Sequence, residues 1–200
     1  MNGEWRMENW KLNNKIVCVG RNYVEHTHEL NNEIPSEPVY FMKPISCISD
    51  EIRPVKYSPM HYEGEICFLI GEKLKVGFGF DFTLREIQSE LKAKGLPWER
   101  AKAFKGAAVF SEFVEFENID NLGLEVYKNG KLSQKADVSL MIYKPEFLIK
   151  DIDEIFGLNA GDIIMSGTPK GVGVVNSGDV FEGRILNSEK IIINKKWNVI

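Results

Sequence analysis

Residues 61–94 read HYEGEICFLIGEKLKVGFGFDFTLREIQSELKAK, and the periods within them decide the fold class. Alternation from His61 onward stacks His61, Glu63, Glu65, Cys67 and Leu69 on one face of a strand. A second alternating run puts Val76, Phe78, Phe80 and Phe82 on one side and Gly77, Gly79 and Asp81 on the other. An aromatic back with a Gly, Gly, Asp front suggests that something approaches this strand closely. The period then lengthens. Leu84, Ile87 and Leu91 share one side of a helix expected over Thr83 to Lys94, opened by a Thr83…Glu86 capping box and stopped by Gly95.

Outward from this stretch, short β-like runs dominate. They cover Ile16 to Val19, Pro38 to Met42, Glu65 to Ile70, Leu122 to Tyr127, Asp162 to Met165 and Ile191 to Ile193. Asn129-Gly130 carries the signal of a tight hairpin. A second helix is expected over Glu146 to Ile152, and a short one in NYVEHTHEL, capped by Asn22 with Glu25 three residues on. The pattern predicts an α+β, mainly β chain. No repeat or linker interrupts it, so a single domain is expected over 1–200, with 1–14 as an N-terminal extension.

The chain has 200 residues, 44% hydrophobic and 27% charged, with 25 Lys and Arg against 29 Asp and Glu. Its net charge of −4 gives no electrostatic footprint for nucleic acid or an anionic membrane. No apolar run approaches the roughly 20 residues of a membrane helix. The opening MNGEWRMENWKL lacks the apolar core of a secretory signal, so a cytoplasmic protein is expected. Cys18, Cys47 and Cys67 sit singly in apolar runs without zinc-type spacing and read as reduced core thiols.

Several clusters could carry chemistry. Glu63 and Glu65 on one strand face repel each other unless a cation compensates them, and hard divalent ions prefer oxygen ligands. Alone, such a pair is more often a solvated strand face. Asp81 would be a third carboxylate, with Arg85 and Gln88 following on the same side of the helix. His26 and Glu29, three apart on a short helix, have the spacing at which a carboxylate orients an imidazole as a general base. His28 falls on another face and reads as solvated. Lys102, in WERAKAFKG, would ordinarily be a surface lysine. The loop MSGTPKGVG offers Thr168 and backbone N–H groups but matches neither nucleotide fingerprint.

In order, CVGRNYVEH, EPVYFMKP, HYEGE, DFTLREIQ, GLPWERAKAF and GDIIMSGTPKGVG with SGDVFEG resemble the fumarylacetoacetate hydrolase family. Within it, the resemblance is to the branch of acylpyruvate hydrolases and oxaloacetate decarboxylases. It implies a mixed, partly open β-roll with few short helices, usually a homodimer. It implies that Glu63, Glu65 and Asp81 ligate Mg²⁺ or Mn²⁺. Lys102 would face a small 2-oxo acid substrate, Thr168 would bind its carboxylate, and Arg85 and Gln88 would line its site. His26 and Glu29 would form a dyad on a short lid, which Arg21 supports. The expected activity is carbon–carbon cleavage of acylpyruvates, with oxaloacetate decarboxylation, keto–enol tautomerisation or 2-oxo-dienoate chemistry as the alternative. A non-catalytic binding relative is the reading from a different class. Relatives place a helix before the Asp strand, whereas only nine residues separate Gly71 from Asp81 here, too few for one.

Overall fold

The computed structural model describes residues 14–29 and 33–200. Thirteen strands and four short helices follow one another along the chain. The first part holds β1 (Lys15–Gly20), α1 (Val24–Glu29), β2 (Val39–Pro44), β3 (Met60–Tyr62), β4 (Gly64–Leu69) and β5 (Lys75–Asp81). Next come β6 (Thr83–Leu84), α2 (Arg85–Ala93), α3 (Glu99–Lys102), β7 (Ala108–Val114), β8 (Leu122–Lys128) and β9 (Lys131–Asp137). The last are α4 (Pro145–Phe156), β10 (Ile163–Met165), β11 (Gly173–Val174), β12 (Val180–Asn187) and β13 (Lys190–Asn198). Of the expected N-terminal extension, only Asn14 lies within the described residues.

A six-stranded mixed sheet runs in the order β2-β1-β10-β4-β5-β7, with β1 and β10 parallel. A four-stranded antiparallel sheet, β13-β12-β8-β9, and a small sheet, β11-β3-β6, complete the open, mainly β architecture. Between the two larger sheets lies an aromatic core. Phe78, Phe80, Tyr62, Phe181 and Trp197 stack with centroid separations of 4.8 to 6.2 Å. Each such ring contributes about 2–3 kcal/mol by leaving water, and favourable ring pairs add about 1 kcal/mol each. The opposite face of the six-stranded sheet buries a smaller cluster, with Ile16, Cys18, Cys67, Leu69, Ile163 and Met165. All three cysteines are free and buried, as their apolar surroundings required.

Residues 70–74 are all that connect β4 to β5, so no helix intervenes. The two strands form a hairpin pairing Glu65 with Gly79 and Gly64 with Phe80, and the Asp81 amide donates to the Glu63 carbonyl at 2.9 Å. The short connection thereby lays the three acidic residues together. The Asn129-Gly130 turn takes φ 51° and 77°, the left-handed pair that a two-residue hairpin needs. α4 opens with Pro145 at its first turn and extends to Phe156, beyond the expected Ile152, until Gly157 at φ 65° ends it.

Local expectations fail where a side chain is taken by a distant partner. α2 begins at Arg85 with Leu84 at the N-cap and no side-chain cap, because the Thr83 hydroxyl receives the Lys102 ammonium instead. Asn22 does not cap α1. Its amide donates to the carbonyls of Tyr143 and Ser166 and accepts from the Tyr143 amide. The glycine front of β5 is occupied by protein: a Cβ on Gly77 would sit 2.6 Å from the Phe113 ring, and one on Gly79 would sit 2.7 Å from Cys67 Sγ and 2.8 Å from the Phe110 ring.

The buried Asp162 carboxylate ties the start of β1 to the turn before β10. It accepts from the Lys15 amide at 2.9 Å, the Asn159 amide at 2.8 Å, Asn14 Nδ2 at 3.2 Å and Lys15 Nζ at 2.5 Å. Burial alone would raise its pKa, but these donors outweigh burial and hold it below the ordinary value. A carboxyl depressed in the folded state stabilises above its unfolded pKa of about 3.9 and loses that contribution as pH falls through the folded value. Asp162→Asn should therefore cost about 2–3 kcal/mol at pH 7, and its stability gap from the parent should close below about pH 4. Urea denaturation at both pH values measures this, and a pH-independent gap would contradict it.

Candidate metal centre

Hairpin register and sheet order converge on three buried carboxylates. Glu63 sits at the break between β3 and β4, Glu65 on β4 and Asp81 at the end of β5. Each offers an oxygen within 4.8 Å of the other two. The break means that His61 belongs to the small sheet and does not share a strand face with Glu65. Such crowding requires positive charge, which three buried or half-buried cations supply. Lys102 Nζ lies 2.6 Å from Glu63 Oε2, 2.7 Å from Asp81 Oδ2 and 2.6 Å from Thr83 Oγ1. Arg85 Nη2 pairs with Glu63 Oε1, while Arg85 Nη1 donates to Gln88 Oε1 at 3.0 Å. Lys43, wholly buried, puts Nζ 2.8 Å from Asp81 Oδ1 and donates to the Lys102 carbonyl.

The two glutamates respond in opposite directions. Burial pushes the Glu63 carboxyl up, but Lys102 and Arg85 overcome burial and hold it well below the usual range. Burial pushes Glu65 up as well, and there the negative charges of Asp81 and Glu63 add to it, against only the Gly167 amide and a more remote Lys102. That amide donates to Glu65 Oε2 at 2.8 Å. Gly167 can be nothing larger: it has φ 102°, and a Cβ there would meet Asn22 Cβ at 2.8 Å. Lys102 is pushed down by burial, yet Asp81 and Glu63 raise it above its ordinary value and keep it an ammonium.

A hard divalent cation fits this donor set. The set offers only carboxylate oxygens, buried, and Glu65 is the member whose negative charge the protein leaves least compensated. Glu63, Glu65 and Asp81 are the residues that could hold it.

Around them lies a pocket of about 440 Å³, its open mouth included, lined by Arg21, His26, Arg85, Gln88, Lys102 and Thr168 among others. The structure thus gathers these six sequence-predicted residues beside the carboxylates. Glu29 lies behind His26, accepting from its Nδ1 at 3.0 Å. An ionised carboxylate can only accept, so the ring proton sits on Nδ1 and Nε2 keeps its lone pair. The Gly171 amide holds Glu29 Oε1 at 3.0 Å, and Lys170 Nζ reaches Glu25 Oε1 at 3.1 Å, which fastens α1 to the loop after β10. His28 is exposed, as its place on the other face required. The Thr168 hydroxyl gives its proton to the Gly64 carbonyl at 2.9 Å and accepts from Gln134 Nε2 at 2.9 Å.

Lys43, Thr83 and Gln134 were not singled out from the sequence. Lys43 had a signal: it shares a strand face with Phe41, which lines the pocket, so alternation aims it inward. Gln134, a buried amide on β9, bonds the Gly64 amide, Thr168 Oγ1 and the Pro169 carbonyl at 2.8 to 2.9 Å. Removing one member of a buried ion pair costs about 3–5 kcal/mol. Lys43→Met should lower the stability of the metal-free protein by that order, and saturating Mn²⁺ should recover part of the loss. Thermal melts with and without Mn²⁺ decide it, and a variant as stable as the parent would contradict the assignment.

A fumarylacetoacetate (FAA) hydrolase C-terminal family model matches residues 15–194. A mitochondrial oxaloacetate tautomerase, FAHD1, of Bos taurus is 37% identical over 196 residues, covering 88% of this chain and 89% of the relative. Among solved structures, a fumarylacetoacetate isomerase/hydrolase-type protein from Oleispira antarctica superposes with a TM-score of 0.90 at 38% identity, over 94% and 93% of the two chains. Fumarylpyruvate hydrolase from Pseudomonas aeruginosa, solved with Mn²⁺ and pyruvate, superposes with a TM-score of 0.82 at 25% identity, over 93% and 89%.

Proposed function

The chain belongs to the fumarylacetoacetate hydrolase family, and we propose that within it this protein is a divalent-metal-dependent enzyme of oxaloacetate that interconverts the keto and enol forms. The observation that carries this reading is the Lys102 ammonium, held between Glu63 and Asp81 inside a pocket that His26 also lines. The name of the Bos taurus relative supports the choice of substrate over the acylpyruvates first expected.

Enolisation removes a proton from the carbon beside the 2-oxo group and builds negative charge on the oxo oxygen. A bound divalent cation would supply Lewis acidity and a template for the 2-oxo acid. His26 Nε2, left basic by the bond from Nδ1 to Glu29, takes the carbon proton and returns it. The Lys102 ammonium donates toward the developing oxyanion, the kind of preorganised stabilisation that is often the largest single contribution to rate. Arg85 and Gln88, bonded to each other, orient the carboxylate end of the substrate. Loss of CO₂ from oxaloacetate leads to the enolate of pyruvate and draws on the same stabilisation, so decarboxylation is expected as an accompanying activity.

Acylpyruvate hydrolysis is the second reading, favoured by the His26–Glu29 pair. The same lone pair on Nε2 could deprotonate a water that attacks the distal carbonyl.

The ultraviolet decay of enol-oxaloacetate tests the first reading. Protein with Mg²⁺ or Mn²⁺ should accelerate it, excess chelator should return it to the uncatalysed rate, and an unaccelerated decay would refute the reading. Asp81→Asn should abolish both the acceleration and Mn²⁺ binding. His26→Gln should slow tautomerisation by about 10²–10⁴ while Mn²⁺ binds as before. Acetylpyruvate assayed in parallel, with acetate and pyruvate as products, decides the second reading.

A further inference from the structure

Positive charge continues up the pocket beyond the carboxylates. Arg21 follows β1 with φ 58°, a left-handed conformation uncommon for a residue with a Cβ and maintained where the surroundings enforce it. It lines the pocket, and among the described residues its guanidinium makes neither hydrogen bond nor ion pair. Lys92, one turn beyond Gln88 on α2, lines the same pocket with Nζ 5.8 Å from the centre of the Trp98 ring. Burial, then the like charges of Arg21, Arg85 and Lys102, press its pKa down, which reflects how closely these cations gather. Arg21 and Lys92 are half-buried where Glu63 and Lys102 are buried, so they stand nearer the mouth.

Charge matching says what they await. Glu63, Glu65 and Asp81 are matched one for one by Lys43, Arg85 and Lys102. A divalent cation added to that set brings two positive charges that only a doubly charged ligand cancels. A guanidinium offers a fork of donors suited to a carboxylate, an ammonium adds a point charge, and the aromatic walls of Phe41 and Trp98 exclude water and strengthen both.

We propose that Arg21 and Lys92 clamp a second carboxylate at the far end of the substrate, so that the site selects dicarboxylic over monocarboxylic 2-oxo acids. This rests on the reading that the near end of a 2-oxo acid is held at the metal centre. Arg21 and Lys92 are then specificity residues for the substrate's length and charge.

Binding to the Mn²⁺-loaded protein, measured by calorimetry, separates the two ends without turnover. Malate and lactate differ at the far carboxylate, and oxalate reports the near end alone. The parent should bind malate about tenfold or more tighter than lactate. Arg21→Met and Lys92→Met should each bring that ratio within about threefold and leave oxalate unchanged, while Arg21→Lys, keeping the charge but not the fork, should fall between. A parent ratio near one, a ratio that both Met variants preserve, or an equal loss of oxalate and malate binding in both would overturn the clamp. Failure of the parent to bind oxalate, with the malate preference intact, would overturn the near-end reading and leave the clamp standing.

Discussion

Mutual repulsion among three buried carboxylates governs the arrangement of everything near the pocket. At about 4 Å and an effective dielectric of about 20, each like-charged pair costs about 4 kcal/mol before compensation. The chain answers with side chains from three separate elements: Lys43 from β2, Arg85 from α2 and Lys102 from α3. Replacing such a cluster with apolar residues would often stabilise a fold, so its presence speaks for chemistry. The compensation is uneven, with Glu63 between two cations and Glu65 facing a backbone amide, and this unevenness leaves room for a metal ion.

Rigid backbone carries much of the remaining order. The hairpin of β4 and β5 fixes Glu65 beside Gly79, and the Gly167 amide fixes the Glu65 carboxylate in turn. Gly171 holds the lid helix through Glu29, and no side chain could stand there, since a Cβ would lie 1.9 Å from the Ser133 carbonyl. Gln134 joins the four-stranded sheet to both the Gly64 peptide and the Thr168 loop, so the two large sheets share one polar clasp beneath the pocket.

Much of this was legible wherever a local period or turn decided the outcome. The alternation of Val76, Phe78, Phe80 and Phe82 marks the core side of β5, and Asn129-Gly130 marks its turn, because each depends on neighbours in sequence. The site residues were legible through motifs in order, and the structure gathers them. Misreadings came from partners far along the chain. Thr83 looked like a helix cap but serves Lys102, nineteen residues on; Asn22 looked like a cap but serves Tyr143, 121 residues on. The glycine front of β5 suggested a ligand, yet Phe110 and Phe113 fill it from β7. Lys43 and Gln134 went unnoticed for the same reason: a buried lysine or amide acquires its meaning from residues that only the tertiary fold supplies.

Strand order carries a consequence for synthesis. β10 emerges after more than three-quarters of the chain, yet it lies between β1 and β4 in the six-stranded sheet. On the ribosome, therefore, β1 and the β4–β5 hairpin are made early and remain unjoined until Ile163–Met165 inserts between them. Gly167 and Thr168 arrive with that strand, so closing the sheet and completing the pocket are one event. Growing chains carry the acidic cluster without its lid anchor, and the exposed strand edges they hold meanwhile make this a fold of long-range pairing, slow to form and in need of protection until its central strand is delivered.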